Sequence, residues 1–397
     1  MSRLGGESVR ASVSWTLATA IGLLVAAVGF RATGGGYLWN AARGEVARAR
    51  AEDRRTAGYY EDLLDAGRDL GAASWTAGAS DAVPADWLKL HDTDGVRWDE
   101  PFQRFRLKPG ANLDYKGAPL GVNELGLRDR PTTIEKPAGV RRVAVVGSSI
   151  LMGSGVPVDA TFENLVEDAV ALGTLGDRGP VEFLNFGVAG YRFDQVVDVV
   201  LQQVAAFEPD AVVVVVNDLA LNPNWSRHLV WLLEEDRDLR YDGLRDLVAT
   251  AGIDAADSTA AMTVKLEPQR DDLLAWGLAE IVDWRRAVGV PVVLMAVSQP
   301  AVTDRVRERL DAARGVFDGS GLPMISLLAA FDGHPAPESL WLRPYDRHPT
   351  AEGHRLLADA WLDEWRRRPD LADLVLGPDR ATTPANDLNP GDASNDR

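Results

Sequence analysis

The stretch whose reading decides the fold is Val140 to Val156, VRRVAVVGSSILMGSGV. An apolar, largely β-branched run, Val143 to Val146, meets Gly147, then two serines, then a glycine-rich turn. Such a run reads as a buried strand of a parallel sheet. A serine at the carboxyl end of that strand stands where open α/β sheets place their ligands. A nucleophile there needs a histidine and an acid from elsewhere in the chain. Both arrive near the end, in Asp346-Arg347-His348-Pro349.

The pattern downstream supports a repeated strand–helix unit. Val181 to Asn185 and Ala211 to Val216 read as further strands, the second ending in five consecutive valines. Val290 to Val297 and Pro323 to Leu328 follow as strands. Helical spacing covers 162–172, 193–207, 271–287, 304–317 and 350–367. Strands alternating with helices predict a doubly wound parallel sheet with helices on both faces. The alternation fails between Leu219 and Gln269, so an inserted, partly helical lid is expected there. The whole domain is expected to span about 96–370, with irregular structure over Arg97 to Pro131 and a disordered Pro/Asn/Asp/Ser-rich tail over 371–397.

Composition narrows the function classes. The chain has 397 residues and a net charge of -17, which argues against a nucleic-acid partner, since phosphate binding needs clustered Lys and Arg. There are five histidines and no cysteines, which removes thiolate metal sites, disulfides and cysteine nucleophiles together. No His/Asp/Glu spacing suits a catalytic metal, and Gly153-Ser154-Gly155 lacks the lysine of a P-loop and the spacing of a dinucleotide fingerprint. No metal and no cofactor are expected.

Ala11 to Phe30 carries no charge over 20 residues, enough to cross a bilayer as a helix. A buried helix or a cleaved signal peptide are the bland alternatives. Residues 1–10 form a basic leader, but no small-residue cleavage site follows the span. The expectation is a retained single-pass anchor in the cell membrane and a stalk over 31–95. Arg31, Arg43, Arg48 and Arg50 after the span outnumber Arg3 and Arg10 before it, and counted strictly this favours a cytoplasmic domain. Large domains cross despite such charges, and the catalytic domain is expected outside the cytoplasm.

Four blocks in order resemble the SGNH (GDSL-type) hydrolase family. Gly147-Ser148-Ser149 with Gly153-Ser154-Gly155-Val156 is similar to the first block, usually Gly-Asp-Ser. Asn185-Phe186-Gly187-Val188-Ala189-Gly190-Tyr191 resembles the second, Asn217-Asp218 the third, and Asp346-Arg347-His348-Pro349 with Gly353-His354 the last. The preamble Val122-Asn123-Glu124-Leu125-Gly126-Leu127-Arg128 is similar to one found in a bacterial, often membrane-tethered branch. Each block alone is weak; four in order, each at a strand's end, are not. Three departures stand out: Ser148 for the usual aspartate, Val216 for the common glycine before the asparagine, and an acid-to-histidine spacing one residue short.

The resemblance implies a serine esterase. A free serine hydroxyl needs a base, and a histidine base needs an acid on its other nitrogen. These roles fall to Ser149, His348 and Asp346. The amides of Ser149 and Gly190 and the side chain of Asn217 are the candidate oxyanion donors. A second Asp-x-His-Pro, Asp332 to Pro335, competes with the first, but only His348 leads into a helix start. His91 and His228 read as surface or packing residues, and His354 as packing in the closing helix. The implied substrate is an O-acyl ester, with O-acetyl groups of an envelope or exported polysaccharide foremost. An O-acyltransferase of the same fold, or an inactive glycan-binding or scaffold module, remain as alternatives.

Overall fold

The computed structural model describes residues 83–381 apart from 85, 99, 218–224 and 302–303. The expected leader and Ala11–Phe30 anchor, most of the stalk, Asp218 and the end of the tail lie outside the described residues. Among the described residues, no helix is long and apolar enough to cross a membrane.

The chain enters through two small antiparallel pairs. β1 (Val96–Arg97) pairs with β2 (Arg106–Leu107), and β3 (Asn112–Tyr115) pairs with β4 (Ala118–Gly121). The second pair turns on Lys116 and Gly117, both in the left-handed region with φ of 55° and 80°. Two consecutive positive φ values suit a tight hairpin turn whose twist matches its strands. The region expected to be irregular thus contains two short ribbons. The end of the expected stalk also joins the domain: Leu90 is 1% exposed, in the core.

β5 (Arg141–Gly147) opens the main sheet and leads into α1 (Ser149–Met152) and α2 (Phe162–Ala171). β6 (Val181–Gly187) and α3 (Phe193–Gln202) follow, then β7 (Ala211–Asn217), buried along its whole length. The region expected to be a lid provides α4 (Arg227–Glu234), α5 (Asp242–Thr250) and α6 (Thr259–Leu266), which share a separate apolar cluster with Phe102. α7 (Arg270–Val288) returns to β8 (Val292–Val297). α8 (Asp304–Ala312) and α9 (Arg314–Gly319), expected as one helix, precede β9 (Met324–Ser326).

The main sheet has five parallel strands in the order β6-β5-β7-β8-β9. Successive side chains of β5 serve opposite faces: Ala144 and Val146 join one core cluster, Val143 and Val145 the other. That period of two is why a strand buried on both faces reads as a continuous apolar run. α3, α7, α8 and α9 contribute to the first face, and α2 with the two closing helices to the second. The chain leaves β5 first toward β6 and then returns to β7 on its other side. The crevice at such a reversal is the ligand site of open α/β sheets, and Ser149 begins the helix that rises from it.

The chain ends in β10 (Trp341–Arg343), β11 (Asp346–Pro349), α10 (Ala351–Arg367) and α11 (Pro369–Leu376). Two expectations need correction here. Asp346 and His348 lie on a short antiparallel hairpin, not on a loop. The tail expected to be disordered from 371 begins instead as α11, whose Leu371, Ala372, Val375 and Leu376 are buried in the core because they fall on one face of the helix.

Candidate active site

Gly147 ends β5 where a side chain would strike Val215 at 2.9 Å. The chain turns there, Ser148 takes the N-cap position, and Ser149 becomes the first residue of α1. The amide of Ser149 therefore points out of a helix start, where no carbonyl of the same helix can accept it. Gly187 allows the next strand end to approach closely, since its missing Cβ would lie 2.5 Å from the Met152 amide nitrogen. Asn185, fully buried, ties the two together: its Nδ2 donates to the Leu151 carbonyl at 2.9 Å and its Oδ1 accepts from Gly187 N–H at 2.8 Å.

Gly190 follows in an exposed turn with φ of 92°, a conformation that suits glycine. Asn217 ends β7 and is 6% exposed. Its Nδ2 donates to Ser148 Oγ at 2.7 Å. The serine standing in for the family aspartate is thus in contact with the candidate oxyanion asparagine. Ser149, Gly190 and Asn217 stand at or just beyond the carboxyl ends of three adjacent strands, β5, β6 and β7.

β11 brings the other half of the site, packing against α1. His348 Nδ1–H donates to Asp346 Oδ1 at 2.5 Å, and the His348 backbone N–H donates to the same oxygen at 3.1 Å. The ring is thereby fixed with its proton on Nδ1 and its lone pair on Nε2. Burial would raise the Asp346 carboxyl, but His348 and Lys116 outweigh it and hold the group well below the usual carboxylate range. No hydrogen bond joins Ser149 Oγ to His348 among the described residues; such bonds are often long before substrate arrives.

The competing motif does not assemble. Asp332 pairs with Arg307 at 2.6 Å, and His334 Nδ1 accepts from the Ala336 amide. His354 packs inside α10: it is fully buried, stacks on Phe162 and accepts from the Phe162 amide. Burial, with the nearby charge of His348 and Arg128, brings it down to about 3. His228 is not a surface residue. It is 5% exposed, with Nδ1 against Asp194 at 2.6 Å and Nε2 against the Phe102 carbonyl at 2.7 Å.

Sequence reasoning missed two neighbours of the site. Asp346 Oδ2 accepts from Lys116 Nζ at 2.6 Å and from Trp87 Nε1 at 2.8 Å. These donors lie 230 and 259 residues away in the chain, and neither belongs to a motif.

The model of the GDSL-like lipase/acylhydrolase family matches residues 145–356, from β5 into α10. The chain belongs to that family. A GDSL-like acylhydrolase of this kind is a serine ester hydrolase, and its serine, histidine and acid blocks all fall within the matched residues. Nothing among the curated proteins matches the chain. Among solved structures, a lipase/acylhydrolase from Enterococcus faecalis is 19% identical, with a TM-score of 0.36 over 57% of this chain and 96% of that one. An acetyl xylan esterase from Geobacillus stearothermophilus is 16% identical, with a TM-score of 0.37 over 56% of this chain and 94% of that one. The family match, not these distant likenesses, carries the assignment of this GDSL-like hydrolase. It leaves out Trp87 and Lys116.

Proposed function

We propose that the protein is a membrane-tethered serine esterase that removes O-acyl groups, O-acetyl groups foremost, from an envelope or exported polysaccharide. The observation that carries the catalytic part is the Asp346–His348 pair, in which the carboxylate accepts a hydrogen bond from Nδ1–H and leaves Nε2 as the basic atom. In this reading Ser149 Oγ attacks the ester carbonyl carbon while its proton passes to His348 Nε2. The oxyanion that forms accepts hydrogen bonds from the amides of Ser149 and Gly190 and from Asn217. Collapse breaks the ester C–O bond, and the His348 proton goes to the departing alkoxide. Water then attacks the acyl carbon as it loses a proton to His348; the acyl–Oγ bond breaks, the His348 proton returns to Ser149 Oγ, and the acid leaves.

The tether is supported by the preamble Val122 to Arg128, similar to that of a bacterial membrane-tethered branch, and by the uncharged Ala11–Phe30 segment; the polysaccharide substrate is what the resemblance to the hydrolase family implies. The extracytoplasmic placement belongs to the same reading. The catalytic test is turnover of p-nitrophenyl acetate by wild type, Ser149→Ala and His334→Ala. Wild type and His334→Ala should match, and Ser149→Ala should be silent. Equal turnover by wild type and Ser149→Ala would make this a binding module. Acetate release from an O-acetylated polysaccharide tests the substrate class. Recovery of the uncleaved protein in the soluble fraction without detergent would remove the tether.

A further inference from the structure

The Asp346 carboxylate accepts four hydrogen bonds. Oδ1 takes the ring and backbone N–H groups of His348; Oδ2 takes Lys116 Nζ and Trp87 Nε1. Two oxygens offer about four lone-pair directions, so the group is saturated. The side chains of Lys116 and Asp346 are 11% and 6% exposed, which makes this a sheltered pair and not a surface one. Burial works against the Lys116 charge, but Tyr115 and Asp346 outweigh it and hold the amine above its ordinary value.

The lysine is also delivered by a rigid support. It sits at the first turn position of the β3–β4 hairpin, with its Nζ 5.5 Å from the Tyr115 ring centre. Arg128, fully buried, fastens that hairpin to the nucleophile turn: it donates to the carbonyls of Gly121 at 3.0 Å and of Val156 at 2.8 Å. The segment before β5 is thus bound to both halves of the site.

We infer that Lys116 and Trp87 are positioning residues that clamp Asp346, so that the catalytic acid of this enzyme is completed by a segment outside the family domain. The inference rests on the assignment of Asp346 and His348 above. Its chemistry is specific. A carboxylate facing only a histidine stabilises the imidazolium strongly; a lysine on the other oxygen shares that negative charge and weakens its hold on the proton. The titratable or charged groups round the pair are Lys116 and Tyr115 from the hairpin, Arg343 over the Trp87 ring, Arg347 beside His348, and His354 from α10. Lys116 is the cation in contact with the carboxylate. With Lys116 in place, the negative charge of the carboxylate is shared between the lysine and the ring.

The test is the pH profile of kcat/KM on p-nitrophenyl acetate with the full-length protein. Lys116→Met should move the acid limb up by about half to one pH unit, with KM unchanged, and Lys116→Arg should return it. Trp87→Phe, which deletes one neutral donor, should lower kcat by roughly 3- to 10-fold at unchanged KM. A Lys116→Met enzyme with the wild-type acid limb overturns the clamp. So does one that loses activity only in step with its folded fraction while Trp87→Phe keeps full kcat. In both cases turnover still depends on Ser149, so the esterase assignment survives. Wild-type turnover that persists in Ser149→Ala would overturn that assignment and the clamp with it.

Discussion

Ser148 shows how a single departure from a family block can be absorbed. In the proposed mechanism the position holds neither nucleophile nor base, so its chemistry is free to vary if the neighbouring asparagine keeps a partner. Asn217 Nδ2 has that partner in Ser148 Oγ, at 2.7 Å between two residues that are each 6% exposed. Buried hydrogen bonds of this kind contribute about 1 kcal/mol each, worth up to about tenfold in rate if expressed in the transition state. Ser148→Ala should therefore lower kcat by up to about tenfold, while Asn217→Ala, which removes a proposed oxyanion donor, should lower it by about 10²- to 10³-fold. The decisive comparison is the double variant. If Ser148 acts by holding Asn217, adding Ser148→Ala to Asn217→Ala should change kcat no further. Full additivity would mean that the serine acts through something else.

The elements that hold the two halves of the site together meet at Gly155. Its φ is 78°, and a Cβ there would lie 2.3 Å from Leu342 Cδ1 on β10. The turn after the nucleophile helix and the hairpin bearing Asp346 and His348 are therefore in register through a missing methyl group. Gly155→Ala should cost about 1–2 kcal/mol for the left-handed backbone and should also push the hairpin away. Misplacement of a catalytic group by about 1 Å costs about 10²-fold, so kcat should drop far more than stability does. Leu342→Ala in the same chain should recover much of kcat without recovering the melting temperature; failure to recover it would show that the contact does not set the hairpin's position. That contact also explains what the sequence left unreadable. The strands at Val143–Val146 and Ala211–Val216 were legible because double-sided burial demands an unbroken apolar run. β10 and β11 were not, because Arg343, Pro344, Asp346 and Arg347 show no apolar alternation, and their pairing depends on packing with a distant turn. Helix α11 begins with Pro369 after three arginines, and its apolar face is only four residues. The proposed triad Ser149, His348 and Asp346 was legible as local motifs. Trp87 and Lys116 could not be, since each makes sense only against a carboxylate more than 200 residues later.

Across the whole molecule, the domain keeps several ionisable groups in its interior, and they set opposite pH trends. His354 is held down to about 3, against an ordinary value of 6.5. The unfolded chain takes up a proton there that the folded chain refuses, so its contribution to stability declines as pH falls from 6.5 toward 3. Asp346, held well below 3.8, likewise loses its contribution as pH falls through its folded value. Glu163 runs the other way. It is fully buried at the start of α2, and Oε1 accepts from Asn164 Nδ2 and Asn185 Nδ2 at 2.8 Å each, while Oε2 has no partner. Burial raises it from 4.5 to about 7. Between those values the folded state holds a proton that the unfolded state releases, so stability declines as pH rises from 4.5 to 7 and stays lowered above that. The His354 and Glu163 trends oppose one another between 4.5 and 6.5, which flattens the profile there and leaves it falling on either side. Glu163→Gln should isolate the second trend. A glutamine keeps the accepting oxygen for the two asparagines and places an N–H₂ where Oε2 was, in a core where Asn164 Oδ1 also has no partner. The variant should therefore melt higher than wild type at pH 8, by several degrees against a ceiling of about 3 kcal/mol at about 1.4 kcal/mol per pKa unit, and no higher at pH 4.5. A variant destabilised equally at both pH values would show that Glu163 is held as a carboxylate by its neighbours and contributes no alkaline weakness to the fold.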